Sequence, residues 1–269
     1  MSTGFDPAFL GAPLVAPAPS ADRPVRVLAY THFEVLLDPV RRLALSTAVN
    51  IDGAALLDLG RGDDWHLDDR VPESEQTGPE VYARNDLDRG HLVRRRDPVW
   101  GEAAEARAAN YDSFCYTNAA PQASGFNQSK ELWLGLEDFV LEYAQTSRSR
   151  LSVFTGPVLA DGDPVYRGVG IPRRFWKIAA WSPDGEGLAT SAYLLDQSEL
   201  VETVRESAVP GLGAFRTFQV PVAEIGTLTG LEVSSLAAAD VLVSAGVRPD
   251  EQRRELSFPE DVRAGLAGR

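Results

Sequence analysis

A chain of 269 residues with 44% hydrophobic side chains is long enough for one large domain or two small ones and can bury a substantial core. No apolar stretch approaches the ~18 residues of a membrane span. A single cysteine, Cys115, excludes a disulfide framework or a cysteine-built zinc cluster, and His32, His66 and His91 are too scattered for a histidine-built one. The net charge of −13 is uneven: residues 52–80 hold nine acids against two arginines, while residues 84–96 hold five arginines against two acids, so total charge says little about the basic segment.

In chain order, the first 24 residues are rich in Pro and Ala and lack the basic start and unbroken apolar run of a Sec signal peptide. They read as an extended or poorly ordered arm on a cytoplasmic protein without membrane attachment. Val25–Tyr30, Phe33–Leu37 and Leu43–Ile51 read as strands, the last two joined by the turn signal Asp38-Pro-Val-Arg-Arg42. Residues 52–80 read mostly as loop, and Tyr82–Val93 as a loop or short strand delivering His91. Ala103–Asn110 reads as a helix and Phe114–Thr117 as a strand. Leu132, Leu136, Phe139, Val140 and Tyr143 recur at helical spacing within Gln128–Gln145. Strands follow at Leu151–Leu159, Arg174–Trp181, Leu188–Leu195 and Phe215–Val220, with short helices at Glu199–Glu206 and Val222–Gly230. Strands joined by hairpin-length connections predict an α+β fold with a central antiparallel sheet flanked by helices. The expected divisions are an arm (1–24), a domain (25–247) and a charged tail (248–269).

The chemistry concentrates in Asp88-Arg89-Gly90-His91. An oriented, neutral imidazole can take a proton from water, a glycine lets the backbone approach a substrate, and an arginine offers fixed charge to a phosphate. On these four residues alone, an ordinary histidine tethered by Asp88 is the stronger reading. A second cluster changes that: Asn118 and Asn127 bracket TNAAPQASGFNQ. An Asn before a helix commonly caps it, but its amide oxygen can also hold a hard cation such as Mg²⁺ without cancelling its charge.

D-R-G-H, then T-N-x-x-P-Q about 26 residues later and N-Q at a helix start, resembles the DNA/RNA non-specific endonucleases, the ββα-metal (His-Me finger) enzymes that include secreted bacterial nucleases and mitochondrial endonuclease G. Val153-Phe-Thr-Gly-Pro157, Pro172-Arg-Arg-Phe-Trp-Lys177 and Ile225-x-x-Leu-Thr-Gly-Leu231 extend the resemblance over roughly residues 25–245. It implies a ββα-metal active site in which His91 is the general base, Asn127 the Mg²⁺ ligand (Mn²⁺ able to substitute), Arg89 a phosphate clamp and Asn118 a positioner of the base. DNA and RNA would be cut to 5′-phosphate ends. The second acid of the family fits Glu137 by its Trp133-Leu-Gly-Leu-Glu137 context, although about 15 Å of helix would separate it from Asn127; Glu131 is the alternative. Arg70 and Arg61 are candidates for an upstream phosphate arginine.

Arg94, Arg95 and Arg96 read equally as a phosphate track or as partners of the acidic stretch. Two rival functions stand beside the nuclease: a catalytically inactive relative that binds nucleic acid or protein, and a glycosidase using paired acids from 52–80. A promiscuous nuclease would endanger its host, so an inhibitory or regulatory partner, a toxin or defence role and a homodimer complete the expectations.

Overall fold

The computed structural model describes residues 4–19, 23–60, 62–123, 133–183, 187–201, 216–247 and 252–256, with backbone only for 133–139. Strands β1 (Arg26–Tyr30) and β2 (Phe33–Asp38) alternate between buried and more open positions, as expected of strands near a sheet edge. The predicted turn forms because Asp38 Oδ1 accepts from the amides of Val40 (2.8 Å) and Arg41 (2.9 Å), with Arg42 left-handed at φ 62°. β3 (Leu43–Asp52) follows.

The chain then leaves the sheet for β4 (Leu87–His91), α1 (Ala103–Ser113), β5 (Ala119–Ala123) and α2 (Trp133–Ser147). It returns through β6 (Arg150–Val158), β7 (Arg174–Trp181), β8 (Ala189–Asp196), β9 (Arg216–Val220), α3 (Val222–Thr229) and β10 (Arg254–Leu256). The eight-stranded sheet runs β10-β9-β8-β7-β6-β3-β2-β1, with every neighbouring pair antiparallel. It is two meanders fused where β3 meets β6, with residues 53–149 inserted at the seam. Among the described residues no helix is long and apolar enough to cross a membrane.

Both faces of the sheet are covered, so β6, β7 and β8 are buried almost end to end. On one face Val153, Phe175 and Tyr193 meet Leu92 and Ala120 from the insertion and Leu141 from α2. On the other, Phe154, Trp176 and Ile178 meet Val222 and Ile225 of α3 and, from the N-terminal segment, Phe9 and Leu14. Residues 4–19 therefore pack against this face of the sheet. Asp6 N donates to Asn50 Oδ1 (2.7 Å), Ser46 Oγ donates to Pro17 O (3.1 Å), and Ala18–Pro19 pairs with Leu231–Glu232. At the other end the charged tail carries edge strand β10, whose Leu256 is buried. The strand expected at Phe114–Thr117 is also corrected: Tyr116–Asn118 is a 3₁₀ turn, and pairing begins at Ala119.

Gly156 faces Trp176 directly across β6 and β7. A methyl group on Gly156 would come within 2.9 Å of the indole and closer still to the Leu45 carbonyl, so two of the recurring motifs meet as a glycine roofed by tryptophan. Gly156→Ala is expected to cost about 1–3 kcal/mol through overpacking. Urea denaturation measures this, and an unchanged midpoint would show that the methyl is accommodated.

Candidate active site

β4 and β5 form a two-stranded hairpin with His91 opposite Ala119 and Arg89 opposite Pro121. Two residues apart on one strand, His91 and Arg89 project from the same face of the pair. His91 is half-buried: the Trp65 ring lies 4.6 Å away and Phe114 meets it edge-on at 5.3 Å. The Arg89 guanidinium stands over Trp65 at 5.1 Å and pairs with the exposed Asp63 at 3.5 Å.

Trp65 is the residue that sequence reasoning missed. It lies inside the acidic stretch, where composition suggested only a solvated loop. Two backbone bonds hold that stretch to the site: His66 N donates to Phe114 O (3.2 Å) and Tyr116 N to His66 O (2.9 Å). The tryptophan itself, a large apolar residue among acids, was the available signal. The other histidines stand apart from His91, His66 stacked on Tyr111 and His32 on Trp100.

Asn118 is fully buried, and its side chain reads only backbone. Its Oδ1 accepts from Val93 N (2.8 Å), while its Nδ2 donates to Val93 O and Ser113 O (2.9 Å each). Leu92 N donates to the Asn118 carbonyl (2.9 Å). The two residues after His91 are thus clamped to the end of α1. Gly90 is dictated by its neighbour: a Cβ there would lie 2.5 Å from Gln122 Cγ, so the buried Gln122 side chain occupies the space behind the histidine's strand.

The other arginines divide. Arg70 hydrogen-bonds Asp68 through Nε (2.9 Å) and Nη2 (2.6 Å) and donates from Nη1 to Ala29 O (2.9 Å), beside a cavity of about 330 Å³ that His66, Tyr111 and Cys115 also line. Burial acts to raise the Asp68 carboxyl, but hydrogen bonds from Arg70 and Tyr30 outweigh it and hold the group below the ordinary carboxylate range. Arg70 is therefore paired with the buried Asp68 while about half of its own side chain stays exposed. Arg95 donates from Nη1 to Leu59 O (3.0 Å) and Asn110 Oδ1 (3.1 Å), tying the acidic loop to α1. Arg94 and Arg96 are half-buried on either side of it.

Asn127, Glu131 and Arg61 lie outside the described residues, as does the side chain of Glu137, whose backbone belongs to α2. Among the described residues no group of three His, Cys, Asp or Glu side chains could hold a metal ion. The donor set expected for a metal is one neutral amide oxygen plus water. Its chemistry fits a hard, largely hydrated divalent cation and leaves the cation's charge available to a phosphodiester.

Residues 11–240 match the family described as DNA/RNA non-specific endonuclease. The chain belongs to that family. Its members are nucleases, hydrolases of phosphodiester bonds, and are generally metal-dependent. A curated relative, the uncharacterized protein y4fB of Sinorhizobium fredii, is 43% identical over 233 residues, covering 81% of this chain but only 34% of the relative. The chain thus spans about a third of that protein's length. Among solved structures, EndoG in the complex titled "Crystal structure of the EndoG/EndoGI complex: Mechanism of EndoG inhibition" aligns with TM-score 0.61 at 18% identity, covering 81% of this chain and 88% of that one. That likeness shows the shared ββα-metal nuclease fold, as the sequence predicted.

Because Asn118 satisfies three buried backbone groups, Asn118→Ala is expected to destabilise the protein by about 2–4 kcal/mol. A loss under about 0.5 kcal/mol in chemical denaturation, within the usual scatter of surface substitutions, would refute the clamp.

Proposed function

We propose that this chain is a metal-dependent nuclease that hydrolyses phosphodiester bonds of both DNA and RNA. The observation that carries this reading is His91 held at a hairpin end, walled by Trp65 and Phe114, with the Arg89 guanidinium on the same hairpin side. The aromatic wall and the Asn118 clamp limit the ring's motion, as an oriented general base requires. His91 takes the proton of the water that attacks phosphorus. Arg89 faces the phosphate; Asp63, now paired with it, is displaced when an anion arrives. Mg²⁺, with Mn²⁺ able to substitute, would be held by Asn127 and water and would stabilise charge on the phosphate and the departing 3′ oxygen. Departure of the 3′ oxygen leaves 5′-phosphate ends. Water is the nucleophile, so no 2′-hydroxyl is needed and DNA and RNA are equivalent to the chemistry.

A partner that inhibits the enzyme fits this reading on two grounds. The solved relative is named in a complex concerned with its inhibition, and Asp63 supports the idea by pairing its carboxylate with Arg89, the group proposed to face the phosphate. A toxin or defence role would follow from such control; a homodimer is a further proposal.

Plasmid and RNA digestion tests the reading. His91→Ala is expected to lower the rate by about 10²–10⁴-fold, and EDTA to abolish it. Cleavage at a comparable rate without His91 would remove it as the base. Binding without turnover under any divalent cation would establish the inactive-relative reading instead.

The arginine run has its own test. Arg95 is engaged by Leu59 and Asn110, so we place the test of the phosphate track at Arg96. Arg96→Ala is expected to reduce the salt slope of duplex binding by about 1, while Arg95→Ala leaves it unchanged. Equal slopes for wild type and Arg96→Ala would exclude Arg96 from the track.

A further inference from the structure

Two of the recurring motifs, Asn118-x-x-Pro121-Gln122 and Pro172-Arg-Arg-Phe-Trp-Lys177, lie on different elements, and one buried amide joins them. Gln197 follows β8 and is fully buried. Its Oε1 accepts from Ala123 N (3.0 Å), and its Nε2 donates to Pro121 O (3.4 Å) and Pro172 O (2.6 Å). Its backbone N donates to Arg173 O (2.8 Å), and its carbonyl accepts from Val201 N (3.0 Å). The side chain therefore bonds to two β5 residues that flank Gln122, while its Nε2 and the backbone N–H of Gln197 are anchored to Pro172 and Arg173 in the turn that enters β7.

β5 is the strand opposite His91 and Arg89, and from Ala123 the chain runs into the segment that contains Asn127. A two-stranded hairpin has little stability alone, so its place on the sheet has to be fixed by such contacts. Pro121 has no N–H, which leaves its carbonyl and the Ala123 amide as the backbone groups that Gln197 reads. A primary amide supplies the donor and the acceptor together; no carboxylate or hydrocarbon does.

We infer that Gln197 is a positioning residue for the phosphodiester-hydrolysing site: it sets β5, and through β5 the paired strand that carries Arg89 and His91. The inference rests on the nuclease reading above. Gln197 touches neither His91 nor Arg89; it acts through the backbone of β5.

Two variants test it in the full chain. Gln197→Met keeps approximate volume and removes donor and acceptor. Its kcat on DNA is expected to fall by up to about 100-fold, the cost of a misplacement on the order of 1 Å, with KM changed far less. Gln197→Glu can still accept from Ala123 N, but donates to only one of the two carbonyls, and only while protonated. Its activity relative to wild type is therefore expected to fall as pH rises, a profile that simple loss of packing would not give. Hydrogen exchange, read without substrate or metal, is expected to quicken in the peptide covering 119–123 in both variants at neutral pH.

A folded Gln197→Met with wild-type kcat overturns the inference. If that variant does not fold, a flat pH ratio for Gln197→Glu overturns it. Should the wild type itself lack nuclease activity, the function reading fails by that result, and exchange at 119–123 still decides the anchoring: unchanged exchange overturns it.

Discussion

Strands β3 and β6 pair from Thr47–Thr155 to Asp52–Arg150, and the active-site insertion leaves and re-enters the sheet at this seam. Immediately beyond it, Gly53 N donates to Ser149 O (3.0 Å), closing the neck of the insertion. The crossing is tight: a side chain at Gly53 would run into the carbonyls of Ala144 and Ser149, where α2 ends. Trp100 Nε1 adds a bond to Asn50 O (2.8 Å), so the segment following the arginines is pinned to β3 as well. A continuous, doubly covered sheet thus gives the site a rigid base while leaving its own strands short.

The insertion contains little of the sheet's repetitive pairing, and buried amides replace it. Asn118 fixes the exit of β4; Gln197 reaches β5 from the far meander. In both cases the partners are backbone groups, which must find hydrogen bonds when buried and whose positions define the strand path. Much of the local basic charge is likewise used internally. Within residues 84–96, Arg95 is engaged by the loop carbonyl of Leu59 and Arg89 pairs with Asp63, so basic side chains are tied directly to the acidic neighbour.

The outer strands were legible because each repeats apolar residues between strong turn signals; Asp38 makes the expected turn with its own carboxylate. The motif pair around His91 and Asn118 was legible because both belong to short, ordered stretches, and the hairpin register places them at neighbouring ends. Phe114–Thr117 misled because aromatic residues favour strands, whereas the Asn118 side chain bonds back to Ser113 O and turns the chain first. Phe9 and Leu14 sit among prolines and alanines that carry no period, so nothing local announced that the far face of the sheet would bury them. Gln197 was illegible for the same reason, whereas Trp65 stood out only by its residue type among acids. Their significance lies in what approaches from distant sequence, at His91 in one case and at Pro121 and Pro172 in the other.

The contact between Trp65 and His91 also has an optical side. An indole 4.6 Å from an imidazole emits differently according to whether its neighbour is neutral or cationic, and according to how wet the surrounding space is. The Arg89 guanidinium over the same ring adds a second charge that can move. The protein therefore carries a native fluorophore against His91 and Arg89, whose surroundings its emission reports without any attached label.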